Sequence, residues 1–181
     1  MYVFAGKYKS KKLEFVSNPK VRPITAKVRE ALFAIWRNKI EEAMMLDLFC
    51  GSGGVGIEAL SRGAKWVDFI DLDTKIVSRN IINLKIENQR IYKKDVFAAL
   101  AIIAKKNKKY DLIFIGAPYA YDQLKDLLVE IGQKEILTKK GELVVEYPSH
   151  LNYFSQDFET LKFFRTYQYG QTNLGLYQQF S

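Results

Sequence analysis

The run Leu46-Asp47-Leu48-Phe49-Cys50-Gly51-Ser52-Gly53-Gly54-Val55-Gly56 places one acid in an apolar stretch, then glycines, then a helical pattern through Val55, Ile57, Ala59 and Leu60. This order reads as strand, tight turn and helix. Such a turn lays backbone N–H groups against a ligand. Gly51, Gly53 and Gly56 spell G-x-G-x-x-G, where a Cβ would block ligand approach or helix packing. The spacing alone also suits a dinucleotide, or a plain strand with a capped turn. Asp47 weighs against a dinucleotide on electrostatic grounds, because a buried carboxylate there repels a pyrophosphate. It attracts S-adenosylmethionine, which carries an ammonium and a sulfonium. Asp71, ending Trp66-Val67-Asp68-Phe69-Ile70-Asp71, is placed to hold ribose hydroxyls. Asp95 is suited either to an adenine amino group or to capping the helix that follows it, and the two roles are compatible. The expected cofactor set is Asp47, Phe49, Gly51, Ser52, Gly53, Asp71, Leu72, Asp95 and Val96. A second candidate, the Gly116-Ala117-Pro118-Tyr119 loop, falls at a strand's carboxyl end, where open α/β sheets bind ligands.

The elements that must carry these residues alternate. Thr25 stands at an N-cap position ahead of Val28, Leu32, Ile35 and Trp36, predicting a helix over about residues 26–39. Beyond the glycine turn the pattern predicts strand 66–71, helix 74–86, strand 90–93, helix 96–106, strand 111–115, helix 121–132 and strand 141–147. Residues 160–169 and 173–180 are β-rich and joined by Gly170-Gln171-Thr172, a hairpin that closes a parallel sheet with antiparallel strands. Residues 2–16 read as two short strands turning at the Lys/Ser region, with aromatics either stacking on bases or forming an inner face. Residues 1–24 are thus expected as a basic hairpin and linker, and 25–181 as the α/β body of one domain.

Charge is unevenly placed. Residues 1–40 hold ten Lys/Arg against Glu14 and Glu30, whereas residues 41–181 hold eighteen bases and eighteen acids, so the whole excess of +8 lies in the first segment. A neutral body with a basic arm points to a polyanion partner; a merely solubilising charge run is the bland alternative. The RNA-facing candidates are Lys7, Lys9, Lys11, Lys12, Arg22, Lys27 and Arg29. One cysteine and one histidine argue against a disulfide framework and against Cys- or His-based metal sites. Cys50, inside the turn, reads as a small packing residue rather than a nucleophile, and His150 as an exposed loop residue. No apolar run approaches the roughly 20 residues of a membrane span, and no signal-peptide pattern opens the chain, so a cytoplasmic protein is expected.

Taken together, these pieces resemble the RsmD family of bacterial small-subunit rRNA guanine-N2 methyltransferases over nearly the whole chain. The marks are Ala5-Gly6-Lys7-Tyr8-Lys9 with Lys12-Leu13, the run Arg22-Pro23-Ile24-Thr25-Ala26-Lys27-Val28-Arg29-Glu30-Ala31-Leu32-Phe33, and Leu46-Asp47-Leu48-Phe49 with its glycines. Glu58-Ala59-Leu60-Ser61-Arg62-Gly63-Ala64 and Tyr169-Gly170-Gln171-Thr172 complete them. The resemblance implies a class I S-adenosylmethionine-dependent methyltransferase: a Rossmann-like, seven-stranded sheet with antiparallel C-terminal strands. It also implies rRNA or an assembling small subunit as the partner, and a monomer is expected.

One position departs from the family's pattern. Where the family carries Asp-Pro-Pro-Tyr or Asp-Pro-Pro-Phe, this chain has Gly116-Ala117-Pro118-Tyr119. The family's acid and a following backbone carbonyl accept from the target amine while the aromatic ring stacks on the flipped base. Losing that carboxylate implies a cost on the order of 3 kcal/mol, about a hundredfold in rate. Three readings follow: an rRNA guanine-N2 methyltransferase, impaired or not; a cofactor- and RNA-binding homologue without turnover; and an adenine-N6 DNA methyltransferase, against which the short chain leaves no room for a DNA-recognition domain.

Overall fold

The computed structural model describes residues 1–15, 24–151 and 154–180. Its centre is a seven-stranded sheet. In chain order the elements are α1 (Ala26–Ile35), β1 (Met44–Leu48), α2 (Gly54–Ser61), β2 (Trp66–Asp71), α3 (Lys75–Leu84), β3 (Gln89–Lys93), α4 (Val96–Lys105), β4 (Tyr110–Ile115), α5 (Leu124–Lys134), β5 (Leu137–Pro148), β6 (Leu161–Tyr169) and β7 (Thr172–Gln179). The sheet order is β3-β2-β1-β4-β5-β7-β6, with the first five strands parallel and β7 antiparallel to both its neighbours. This is the parallel sheet closed by antiparallel strands that the sequence pattern predicts, and the class I methyltransferase topology that the resemblance implies.

Side-chain alternation sorts the core into two faces. Met45, Val67, Phe69, Phe114 and Val144 pack with α1, α2 and α3 on one side. Leu46, Leu48, Ile113, Ile115 and Val145 pack with α4 and α5 on the other. A parallel sheet covered on both faces explains why its strands are nearly continuous apolar runs. Asp68 interrupts β2 at no cost to its neighbours, because its carboxylate accepts from Lys108 Nζ at 2.6 Å, Trp66 Nε1 at 2.7 Å and the Tyr110 hydroxyl at 2.5 Å. Burial and the adjacent Asp68 charge hold the Tyr110 phenol well above its ordinary value, so it stays a donor.

Element ends differ from the sequence reading in places. Helix α1 stops at Ile35, and β5 starts at Leu137 rather than at 141. The Thr25 side chain accepts from Val28 N at 3.3 Å, the cap that the sequence implies.

The N-terminal residues are not a free hairpin. Residues 1–3 and 10–13 pair antiparallel through the Tyr2–Lys12 bridge and the bonds from Val3 N to Lys11 O at 3.0 Å, Ser10 N to Val3 O at 2.9 Å and Leu13 N to Met1 O at 2.8 Å, a shorter hairpin than expected. Helix α2 satisfies the backbone between the two arms. The fully buried Glu58 carboxylate accepts from Phe4 N at 2.8 Å, Ala5 N at 3.1 Å and Arg62 Nε at 2.7 Å. Ser61 donates its hydroxyl to Ala5 O at 2.5 Å and accepts from Tyr8 N at 2.8 Å. The Ala5-Gly6-Lys7-Tyr8 and Glu58-to-Arg62 motifs are therefore two halves of one contact. Gly6 is required in it: at φ +80° a Cβ would stand 1.6 Å from Ser61 O. Val3, Tyr8 and Leu13 consequently join the core, which settles Tyr8 as an inner-face residue, while Tyr2 is exposed. Among the described residues no helix is long and apolar enough to cross a membrane.

Candidate active site

A cavity of about 430 Å³ opens at the carboxyl ends of the parallel strands, a volume suited to a small organic ligand. Its charged lining is five carboxylates, Asp47, Asp71, Asp73, Asp95 and Glu146, against one lysine, Lys94. Such a cradle favours a cationic ligand and disfavours a pyrophosphate.

The glycine turn forms one wall. Asp47, at 1% exposure, accepts from Gly56 N at 2.9 Å and so ties β1 to the start of α2. Gly56 permits this approach, since a Cβ there would lie 2.3 Å from Phe69 Cε1. Burial pushes the Asp47 carboxyl up to about 7, the Gly56 N–H working against the shift and the Asp71 charge adding to it. Phe49 takes a left-handed φ of +58°, a conformation that costs a non-glycine residue roughly 1–3 kcal/mol and concentrates at functional sites. Its ring lines the cavity and meets Tyr121 edge-on at 4.8 Å. A Cβ on Gly51 would meet nothing within 4 Å, so a side chain there would project into space that a ligand can use.

Asp71 accepts from Gly51 N at 2.8 Å and Asp73 N at 3.1 Å, bridging the ends of β1 and β2. Asp95 caps α4 through Phe97 N at 2.9 Å and Ala98 N at 3.4 Å, and it also lines the cavity, so both of its expected roles have their geometry. Ser52, Leu72 and Val96 line the cavity as well. Gly53 does not. It sits behind the turn, where a Cβ would fall 2.6 Å from Val77 Cγ2.

Gly116, Ala117, Pro118 and Tyr119 line the same cavity. The Tyr119 hydroxyl is 2.7 Å from Thr172 Oγ1, so the Tyr169-Gly170-Gln171-Thr172 turn holds the ring in place. Cys50 is buried, and burial followed by the Asp47 and Asp71 charges drives its thiol well above the ordinary range, leaving it a packing residue. Three contributors escaped the sequence reading. Tyr121 packs on Phe49. Asn80 donates to Ser52 O and Glu14 O, each at 2.9 Å, fastening the turn to the N-terminal segment. Glu146 lines the cavity with Gly116. Asn80 falls on the expected 74–86 helix and Glu146 in the expected 141–147 strand, and neither carries a local signal of its partners.

On the basic surface, Lys7, Lys9, Lys11, Lys12 and Lys27 are exposed. Arg22 lies outside the described residues. Arg29 corrects the sequence expectation: at 1% exposure it donates to Gly54 O at 3.3 Å and Tyr2 O at 2.5 Å and stacks 4.1 Å from the Phe4 ring centroid. It joins the glycine turn to the N-terminal segment and offers nothing to a phosphate. Among the described residues no cluster of three or more His, Cys, Asp or Glu is arranged to hold a metal ion.

Residues 1–178 match the family described as Conserved hypothetical protein 95. The chain is 33% identical over 183 residues to YlbH of Bacillus subtilis (strain 168), covering 99% of each. It is 31% identical over 147 residues to Ribosomal RNA small subunit methyltransferase D of Escherichia coli (strain K12), covering 80% of this chain and 73% of that one. The solved structure of yhhF from Escherichia coli superposes with a TM-score of 0.84 at 27% identity, over 100% of this chain and 98% of that one. The match runs through the docked N-terminal segment, the glycine turn and the closing strands alike, and the chain therefore belongs to Conserved hypothetical protein 95, the RsmD family of methyltransferases.

Proposed function

We propose that this protein transfers a methyl group from S-adenosylmethionine to the exocyclic N2 amine of a guanine in small-subunit ribosomal RNA. The observation that carries the reading is the single cavity in which the anionic glycine-turn cradle opens onto Gly116-Ala117-Pro118-Tyr119. S-adenosylmethionine supplies a methyl group on a cationic sulfur. Asp47 and Asp71 supply negative charge on the cofactor side, and Asp71 is placed for the ribose hydroxyls. The Tyr119 ring, held by Thr172, offers a stacking face for a flipped base. A backbone carbonyl of the Gly116-Ala117 pair accepts one of the amine's N–H groups. Because the amine's lone pair is delocalised into the base, holding those hydrogens turns the pair toward the methyl, and catalysis is mainly positioning. The name of the Escherichia coli relative supports rRNA as the polymer.

The exposed Lys7, Lys9, Lys11 and Lys12 are the proposed docking contacts for the RNA backbone. Deleting the segment is a poor test, because Val3, Tyr8 and Leu13 belong to the core. Replacing the four lysines by serine instead is expected to weaken RNA binding and to flatten the slope of log affinity against log salt by up to about 3. An unchanged slope would move the docking surface elsewhere.

A second reading, a cofactor- and RNA-binding protein without turnover, rests on the glycine at 116. Labelled methyl transfer to unmethylated small subunits, run beside duplex DNA, decides among the readings. Incorporation into the subunit alone is expected. Incorporation into DNA alone would favour adenine-N6 chemistry, and none into either would favour the binding protein.

A further inference from the structure

We infer that Glu146 supplies, from the neighbouring strand, the carboxylate that position 116 lacks, accepting an N–H of the target amine. The inference rests on the guanine-N2 reading above. Strands β4 and β5 run in parallel register through Phe114 with Val144 and Ile115 with Val145, and Gly116 and Glu146 are the next residue of each chain, both lining the cavity. Alternation puts Glu146 on the face of Phe114 and Val144, and a Cβ built on Gly116 also points to that face, 2.9 Å from Phe114 Cε1. Glu146 and the whole Gly116-to-Tyr119 loop line one cavity, and Glu146 is buried to 8% exposure at its edge.

The other acids are placed differently. Asp47, Asp71 and Asp95 lie around the cofactor turn and the α4 cap rather than beside the end of β4. Asp122, close in sequence to the loop, is exposed and outside the cavity lining. Adjacent strands lie about 4.8 Å apart, and a glutamate is one methylene longer than the aspartate it would replace, which shortens the lateral gap. In the reaction the N–C bond forms as the C–S bond breaks, the electron pair of the broken bond stays on sulfur, and the surplus proton on nitrogen passes to the Glu146 carboxylate and then to water.

The test uses the full chain saturated with S-adenosylhomocysteine and a short single-stranded RNA carrying one guanine, compared by fluorescence anisotropy with the same RNA carrying inosine, which lacks the N2 amine. The chain as it stands is expected to prefer guanine by about tenfold, in line with the loss of a charge-assisted hydrogen bond. At saturating S-adenosylhomocysteine, Glu146→Ala is expected to lose most of that preference, and Glu146→Gln, which keeps a neutral acceptor, part of it. Glu146→Ala combined with Gly116→Asp is expected to regain it, an outcome that a merely structural glutamate would not give. Retained preference in both Glu146 variants, or loss that Gly116→Asp does not repair, overturns the inference. If the unaltered chain does not distinguish guanine from inosine, the guanine-N2 reading falls and this inference falls with it.

Discussion

Asp47→Asn is expected to make the cofactor-free protein more stable at pH 8 and to abolish most of the pH dependence that this carboxylate imposes. The native carboxyl titrates at about 7 against an ordinary value of 3.8, chiefly because burial disfavours its charge. A native pKa above the unfolded one means that the folded chain holds a proton that the unfolded chain has already lost. Stability from this group is therefore full below about pH 4, falls as pH rises through the window to 7, and is lower by roughly 4 kcal/mol above it. Asparagine keeps an oxygen to accept from Gly56 N–H without the charge. Urea unfolding at pH 5 and pH 8 measures the difference. An equal pH slope in both proteins would mean that Asp47 is not the group responsible.

The same acid shapes ligand binding with the opposite sign. A cationic cofactor beside Asp47 lowers its pKa, so binding near neutral pH expels a proton. Affinity is then expected to strengthen from pH 6 to pH 8, by up to about tenfold per unit below pH 7. Asp47→Asn should remove that dependence together with the proton release seen by calorimetry in buffers of different ionisation enthalpy.

The second large effect is at Asp71. Asp71→Ala is expected to weaken S-adenosylmethionine binding by about 1–3 kcal/mol, through loss of charge-assisted bonds to the ribose hydroxyls. It also removes the acceptor for Gly51 N and Asp73 N, which bridges the ends of β1 and β2. Asp71→Asn, which preserves an acceptor for those amides, should recover the turn but only part of the affinity. Unchanged calorimetric affinity in Asp71→Ala would take Asp71 out of the site.

The glycine turn and its two acids were legible in the sequence because strand, turn and helix follow one another locally and Gly53 and Gly56 each have a nearby steric cause. Gly56, for instance, must pass Phe69 only thirteen positions away. Arg29 was misread for the converse reason. Its place among basic residues at a helix start suggests a surface, but whether that surface meets water depends on Tyr2 and Phe4, which Glu58 draws across it from the far end of α2. The N-terminal hairpin forms as a short pairing, but its docking could not be read, since Glu58 and Ser61 of α2 take up the N–H groups of Phe4, Ala5 and Tyr8 from more than fifty positions away. Glu146 shows the limit most clearly. In sequence it is an acid in an apolar strand, and only the register of β4 with β5 brings it to the cavity that Gly116 lines. The chain lacks a carboxylate at 116, and the fold brings a candidate replacement from thirty positions away.

The central claim is the identity of the methylated atom. Unmethylated small subunits incubated with this chain and labelled S-adenosylmethionine should, after digestion to nucleosides and mass spectrometry, yield N2-methylguanosine as the labelled product. Label in N6-methyladenosine, in a ring-nitrogen methylguanosine or in no nucleoside at all would contradict the assignment of the Gly116-Ala117-Pro118-Tyr119 loop to an exocyclic guanine amine.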